Sequence, residues 1–275
     1  MKRFLAIILA GLMLLSLAAC GGKDDNVVKG GFLEEGGVDR LVTSEHQAHA
    51  NEGMGLSNNK TVDRIKYNNL SSALMDLESG KIDFMGVEKS TADYIAAHND
   101  KISVTVKNDR KTNFAMMTLD SKTEIYNILN DAIKAMKADG TLDSLIENEL
   151  NAYINSDPVA KDLPRFDGAI TIKVGVTGDV PPMDFVASNG KAAGFNIALL
   201  AEIANRVQVN FELVQIEAGA RPMALSSGKV DVVFWTKNVV CTKCGSEGAE
   251  QIDGTIVTET YYSDLVAHIQ LKSDK

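Results

Sequence analysis

Positive charge, cysteine and tryptophan are scarce in this sequence. Its 275 residues carry 28 lysines and arginines against 37 aspartates and glutamates, which gives a formal net charge of -9. Because nucleic-acid binding needs a basic face, this balance argues against a nucleic-acid partner. Three cysteines and four histidines also leave few candidate metal ligands. Glu45, His46 and His49 lack a tight ligand spacing and a cysteine partner, so we predict neither a metal nor a cofactor.

An apolar run that would cross a membrane comfortably is also missing near the start of the chain. The run from Phe4 to Leu17 is shorter than the roughly 20 residues of a membrane helix. It follows Lys2 and Arg3, which is typical of the basic first region of a targeting segment. We therefore predict that residues 1–20 are a signal peptide.

The end of this segment resembles the lipobox of bacterial lipoproteins. Its last residues are Leu17-Ala18-Ala19-Cys20, and cleavage before Cys20 would leave that thiol as the site of lipid attachment. An ordinary signal peptide or anchor with an incidental Cys20 is the alternative. Residues 21–29, which begin with small and polar side chains, are predicted to form a flexible tether.

What the sequence does contain is an alternation of apolar runs and helical patterns between Thr171 and Asp231. β-Rich runs at 171–176, 210–216 and 230–235 are separated by a helical pattern from Ile197 to Val207 and a shorter one after Arg221. Asn196 is placed to cap the longer helix. The β-α-β-α-β order predicts an α/β fold, a parallel sheet with helices on its faces.

One motif of this stretch occurs twice. Leu77–Asp83 (LESGKID) and Leu225–Asp231 (LSSGKVD) each place a glycine at the end of a helical pattern and an aspartate before an apolar run. Glycine suits the left-handed position that ends many helices. Two copies predict two similar α/β lobes. Because ligands of such sheets bind beyond the carboxyl ends of the strands, two facing lobes would enclose a cleft there.

The same region resembles a family, the bacterial extracytoplasmic solute-binding proteins of the polar amino-acid class. The resemblance is carried by Val174-Gly175-Val176, Pro181-Pro182, Asn189-Gly190, Gly194-Phe195 and Ser227–Asp231. With softer motifs, it extends over most of residues 60–272. It implies a two-lobed type II periplasmic-binding-protein-like fold and the role of substrate-binding component of an ABC importer.

The two parts stand in reversed order relative to this family. The part that resembles the family's beginning, residues 171–272, follows the part at 60–155 that resembles its continuation. We interpret the chain as circularly permuted, with a second lobe at 30–110, a first lobe at 111–155 plus 168–275, and a permutation linker at 156–167. Asp157-Pro158 and Leu163-Pro164 punctuate this linker. Two truncated copies that need a partner are the alternative.

The candidate ligand-binding residues lie just beyond a predicted strand or at the start of the next helix. They are Asp179, Val180, Asp184, Phe185, Arg221, Trp235, Thr236 and Asn238 in the first lobe, and Glu88 in the second. The Trp235 indole could stack on a solute, and packing between the lobes is the alternative. Glu88 stands where the family holds a ligand's ammonium group with an aspartate. The alternative is that Glu88 only stabilises the N-terminus of the helix that follows it.

Two departures from the family concern the ligand. The family has an aromatic residue near the position of Val180, and an arginine that clamps a carboxylate where this chain has Lys243. A lysine does not reproduce the arginine fork. The resemblance therefore favours a small polar solute, an amino acid or a related molecule, without identifying it.

Cys241 and Cys244 form an even pair once Cys20 is lipidated. Outside the cytoplasm disulfides persist, so we predict a tight loop disulfide between them. A zinc site would need two more ligands, and a redox motif usually begins a helix, whereas this loop contains Gly245 and Gly248.

These observations lead to one functional hypothesis and two rivals. We predict a monomeric, lipid-anchored protein on the extracytoplasmic face of the cell membrane, which binds a small polar solute and delivers it to ABC transporter permease subunits. A sensory ligand-binding module is one rival. A lyase or murein-active enzyme on the same fold is the other. Only Glu88 and Asp184 are evident acid/base candidates, and no nucleophile–base pair is visible, so we predict no enzymatic activity.

Overall fold

The structure is a computed structural model that describes residues 26–34, 60–241, 246–249 and 252–273. Its strands are Val27–Leu33 (β1), Thr61–Tyr67 (β2), Phe84–Glu88 (β3), Ile102–Leu119 (β4), Thr171–Val176 (β5), Asp179–Val180 (β6), Asp184–Val186 (β7), Ala192–Ala193 (β8), Asn210–Gln215 (β9), Val232–Cys241 (β10), Ser246–Ala249 (β11), Thr255–Val257 (β12) and Tyr262–Leu271 (β13). Ten of them form one sheet, and β6, β7 and β8 form a separate three-stranded sheet.

Helices cover the large sheet. They are Leu70–Glu78 (α1), Lys89–His98 (α2), Thr123–Ala138 (α3), Thr141–Glu149 (α4), Phe195–Val207 (α5) and Arg221–Ser226 (α6). In the described ranges, none of the helices combines the length and the apolar character that a membrane crossing requires. Each buries one apolar face, as the helical spacing of Leu129, Ile133 and Met136 shows for α3.

The first lobe is built around β5. Strands β9 and β10 lie on either side of β5 and run parallel to it. The later part of β4, from Arg110 to Thr118, pairs antiparallel with β10, and β12 completes this half of the sheet by pairing with β4. The strand order is therefore β9-β5-β10-β4-β12. Helices α3, α4 and α5 contact one another beside this half-sheet.

The second lobe repeats this order around β1. Strands β2 and β3 flank β1 and run parallel to it. Strand β13 pairs antiparallel with β3, and the early part of β4, Ile102–Lys107, pairs with β13. The order β2-β1-β3-β13-β4 matches that of the first lobe position by position. Two lobes of this kind on one sheet are the two-lobed type II periplasmic-binding-protein fold, and the predicted fold class is confirmed.

Two long strands cross from one lobe to the other. Strands β4 and β13 stay paired with each other on both sides of the crossing, as the pairs Tyr262–Phe114 and Leu271–Ile102 show. The register shifts at the crossing, where Leu265 faces Lys111 but Val266 faces Lys107. Strand β4 therefore has three extra residues, 108–110, where β13 has none.

The repeated motif has the same structure in both lobes. Gly80 and Gly228 have φ angles of 72° and 71°, the left-handed conformation that glycine adopts without strain. Asp83 accepts the Lys29 backbone N–H at 2.7 Å, and Asp231 accepts the Lys173 N–H at 2.7 Å. Each aspartate thus connects the turn to the central strand of its own lobe.

The segment between the two parts of the chain is docked on the first lobe. Asn210 accepts a hydrogen bond from Phe166 N–H at 2.8 Å and donates one to the Phe166 carbonyl at 3.0 Å. Ala160 forms a bridge to Ala193, and Lys161 pairs with Glu149 at 2.6 Å. On the other side, the hydroxyl of Tyr94 in the second lobe donates to Asp157.

Three details differ from the sequence-based predictions. Strand β1 begins at Val27, inside the range predicted as tether, because Val28 is buried and 27–29 pair with β2. Gly194, with a φ of 102°, occupies the cap position of α5, whereas Asn196 lies inside the helix and is buried. The later half of β13 belongs to the second lobe's half-sheet, although the sequence assigned all of 168–275 to the first lobe.

Candidate ligand-binding cleft

The carboxyl ends of the parallel strands of both lobes face each other. Ala218, which follows β9 of the first lobe, donates its N–H to the Asn68 carbonyl, which follows β2 of the second lobe, at 3.2 Å. Gly219 lies next to it and approaches Glu34, which follows β1. The ends of the two half-sheets therefore enclose a common seam, which is where the α/β rule expects a ligand.

Asp179 joins the lobes across this seam. One of its carboxylate oxygens accepts the Leu70 N–H at 2.7 Å, and Leu70 is the first residue of α1 in the second lobe. The N-terminal end of a helix attracts negative charge, so this is a favourable contact for a carboxylate. Burial raises the pKa of Asp179, the backbone N–H groups of Leu70 and Ser71 oppose that rise, and the nearby Asp184 adds to it.

Asp184, Val180 and Phe185 shape the turn that presents Asp179. Asp184 is buried and accepts hydrogen bonds from the Thr177 hydroxyl at 2.7 Å and from the Gly178 N–H at 2.6 Å. Val180 is buried, and Phe185 is half-buried. Asp184 thus holds the β6–β7 hairpin in shape, which leaves Asp179 as the member of this group that reaches the second lobe.

Glu88 lies at the start of α2, beside the strand crossing. It is 7% exposed, and Asp264 of β13 is 9% exposed. Asp264 accepts the Ser90 N–H at 2.8 Å and the Leu265 N–H at 2.7 Å. Burial raises the pKa of Asp264, and the neighbouring Glu88 adds to that effect. Two buried carboxylates therefore lie near each other beside the strand crossing.

Tyr262 lies over this pair. Its ring stacks on Phe114 with 5.9 Å between the centroids, and its pKa is raised by burial and by the charges of Asp264 and Glu88. Sequence reasoning missed both Tyr262 and Asp264 as site residues. The available signal was the acidic residue inside the otherwise apolar run of β13, which no local pattern explains.

Arg221 does not place its whole guanidinium in the seam. It is 4% exposed, and it donates from Nε to the Ala218 carbonyl at 3.0 Å and from Nη1 to the Phe234 carbonyl at 3.2 Å. Ala218 follows the end of β9, and Phe234 lies in β10. Arg221 therefore fixes the loop after β9, and its contact with a ligand stays a prediction.

Trp235, Thr236 and Asn238 follow one another along β10. Strand β10 pairs with β4 through Thr236 and Asn238 near the crossing. The side chains of Trp235 and Thr236 lie outside the described residues, so their predicted contacts with a solute stay predictions. Asn238 is half-buried.

Several other predictions fall outside the described part of the chain. Cys20, Lys243 and Cys244 lie outside it, as do the signal peptide at 1–20 and the histidines at 46 and 49. The backbone of Cys241 ends β10, but its side chain is not described, so the disulfide stays a prediction. Within the described ranges, no cluster of three or more histidine, cysteine, aspartate or glutamate side chains could hold a metal ion.

A family model matches the first lobe. Residues 172–239, from β5 to β10, match the bacterial extracellular solute-binding proteins, family 3. This segment is thus similar to part of a family 3 solute-binding protein. The family match supports a solute-binding role and an extracytoplasmic location. It covers the seam residues from Asp179 to Asn238 and leaves out the second lobe. No curated protein matches the chain in sequence.

Solved structures are similar to the chain at low identity. A ligand-binding component of an ABC-type import system from Staphylococcus aureus, with zinc bound, is 12% identical, with a TM-score of 0.42 over 88% of this chain and 65% of that one. The chain thus spans just under two thirds of that component. The GluR0 ligand-binding core in complex with L-glutamate is 10% identical, with a TM-score of 0.41 over 90% and 86% of the chains. CbnR, a LysR family transcriptional regulator, is 9% identical, with a TM-score of 0.45 over 100% and 76%.

Proposed function

We propose that this protein binds a small polar solute with a cationic group between its lobes and delivers it to the permease subunits of an ABC importer. The observation that carries the proposal is the pair of buried carboxylates, Glu88 and Asp264, where the two lobes join. Two neighbouring buried carboxylates favour a cationic group at the place where they meet. The ammonium group of an amino acid or a related amine would fit there.

The surrounding contacts support binding rather than catalysis. Asp184 is engaged by Thr177 and Gly178, and Asp264 by the backbone N–H groups of Ser90 and Leu265. These hydrogen bonds hold each carboxylate in place, whereas an acid/base catalyst must exchange a proton with a substrate. We therefore infer a binder, with Asp179, Val180, Phe185, Arg221, Trp235, Thr236 and Asn238 completing the cleft. A sensory module would use the same cleft.

We also propose that the chain is lipid-anchored through Cys20 and that its two parts are a circular permutation. The family-matched segment lies in the later half of the chain, whereas residues 26–34 and 60–107 supply most of the described second lobe. A globular domain tolerates such a reordering when its ends lie at the surface. The parts share one sheet, which supports an intact monomer over two truncated copies.

The proposal is tested by a solute screen on the full mature chain. We expect amino acids or small amines to raise the melting temperature and to change the fluorescence of the single tryptophan. Glu88→Gln should weaken binding roughly tenfold to a hundredfold, because it removes the charge that faces the ammonium group. Glu124→Gln, at an exposed position in the first turn of α3, is the matched control.

Three outcomes would contradict the proposal. One is equal affinity in the Glu88 and Glu124 variants. Another is binding of anionic solutes alone. Consumption of the solute during the titration would indicate the enzyme instead. Co-purification with permease subunits from membranes distinguishes the importer from the sensory module.

A further inference from the structure

The face of the second lobe's half-sheet that carries His268 gathers basic side chains. In the register of β13 and β4, Lys107 faces Val266, so Lys107 and His268 are diagonal neighbours on one face. The residues in register with His268 on the neighbouring strands β3, β1 and β2 are Gly86, Phe32 and Lys66, so they form one row across this face. The opposite face packs on α1 and α2 through Met85, Ala267 and Ile269.

Two of the basic groups on this face are buried without a hydrogen-bond partner. Lys107 is 4% exposed and His268 is 8% exposed, and neither Nζ of Lys107 nor Nδ1 of His268 has one. A buried ammonium group without a partner costs several kcal/mol as a rule, and few proteins keep one without a reason.

Two arginines extend the cluster. Arg64 lies 3.6 Å over the Phe32 ring, Phe32 packs edge-on against Phe84, and Phe84 packs against His268 with 4.8 Å between centroids. Burial and then the positive charges of Lys107, Arg110 and Arg64 lower the pKa of His268 to about 3. The pKa of Lys107 is lowered by burial and by Arg110, and Asp109 partly opposes that change.

Two acidic side chains of the described residues lie near this face. Asp109 lies in the three-residue excess of β4, and Glu88 lies in the row of Lys107 beyond Val266. Neither removes the repulsion among the cations that depresses the pKa of His268. Among the described residues, no carboxylate hydrogen-bonds to Nζ of Lys107 or to Nδ1 of His268.

We propose that Lys107 and His268, flanked by Arg64 and Arg110, form a binding site for a small oxyanion such as sulfate or phosphate, separate from the solute cleft. The anion accepts hydrogen bonds from Nζ of Lys107 and Nδ1 of His268 and brings negative charge to these two buried groups. Occupancy stabilises the second lobe, because the anion binds the folded arrangement and not the unfolded chain.

The site is tested with sulfate, which does not change its protonation between pH 5 and 8. In chloride-balanced buffers at constant ionic strength, sulfate at a hundredfold excess over its Kd should raise the melting temperature of the full chain by roughly 5 °C. Lys107→Met should abolish the rise, and Lys101→Met, at an exposed position just before β4, should retain it. Equal rises in both variants, or none in the wild type, would overturn the proposal.

Proton uptake gives a second readout that does not depend on the Lys107 variant folding. His268 is neutral in the free protein, and a bound anion raises its pKa, so binding should take up protons and strengthen as the pH falls from 7 to 5. Calorimetry in two buffers of different ionisation enthalpy measures this uptake. Binding without uptake and with no dependence on pH, as for simple exclusion of sulfate from the surface, would refute the site.

Discussion

At the scale of single residues, the buried carboxyl group of Asp264 at the lobe junction makes stability depend on pH. Asp264 accepts two backbone N–H groups, yet its pKa is raised because burial outweighs them. A carboxyl group whose pKa is higher in the folded chain than in the unfolded chain favours folding when protonated. Its contribution to stability therefore falls as the pH rises from the unfolded pKa to the folded pKa.

Asp264→Asn should accordingly stabilise the ligand-free protein at pH 7, by on the order of 1 kcal/mol. The amide keeps an acceptor for Ser90 N–H and removes the buried charge beside Glu88. Urea unfolding at pH 7 and at pH 3.5 measures the effect, and the difference between variant and wild type should shrink at the lower pH. A variant that is less stable than the wild type at pH 7 would contradict this account.

The backbone conformation at position 194 requires glycine. Its φ is 102°, and a Cβ there would lie 2.5 Å from the Met183 carbonyl oxygen. Gly194→Ala should cost more than about 3 kcal/mol, because strain and a backbone clash combine. Gly190→Ala is the control, since its φ is 76° but nothing lies within 4 Å, and about 1 kcal/mol is expected. Thermal unfolding of both variants compares the two costs.

At the scale of elements, one side chain, Asn210, makes two of the hydrogen bonds that hold the linker between the two parts. Asn210→Ala removes both hydrogen bonds to the backbone of Phe166 and should cost about 1–3 kcal/mol. Limited proteolysis should then cut within 156–167, where the wild type resists. Asn189→Ala, in an exposed turn, should leave the cleavage pattern unchanged. An unaltered pattern for the Asn210 variant would mean that other contacts hold the linker.

The elements show what the sequence could reveal and what it could not. The repeated Leu77–Asp83 and Leu225–Asp231 motif predicted two similar lobes, because glycine and aspartate act within one turn there. A second similarity between the lobes was missed. Lys29–Gly31 of β1 and Lys173–Gly175 of β5 each combine a lysine with a glycine two residues later, and only tertiary packing explains the glycine. A Cβ at Gly31 would meet Ile82, and one at Gly175 would meet Ile216. Asp264 was equally hidden, since its partner Ser90 lies 174 residues away in the chain.

At the scale of the whole molecule, the two lobes meet at the N-terminus of α1, where two side chains accept backbone N–H groups. Asn69 accepts the Ser72 N–H at 2.9 Å from within the second lobe, and Asp179 accepts the Leu70 N–H at 2.7 Å from the first lobe. Both contacts stabilise the N-terminus of α1. Only the second one joins the lobes.

Removing either cap should therefore have different consequences. Asn69→Ala should lower stability by about 1 kcal/mol without changing the shape of the molecule. Asp179→Ala should speed hydrogen exchange at the Leu70 amide roughly tenfold and increase the radius of gyration seen by small-angle scattering. The same radius for both variants would show that Asp179 does not hold the lobes together.

The two strands that cross between the lobes are not equivalent. Strand β13 passes from Leu265 to Val266 with no spare residue, whereas β4 passes the same point with 108–110 in excess. Strand β4 therefore already has an irregularity at the crossing, while Arg110 within it still pairs with Cys241 of β10. A residue added at 108–109 would lengthen this irregularity and leave the pairing on either side in register. A single residue added to β13 at the crossing would turn every side chain beyond it to the opposite face of the sheet.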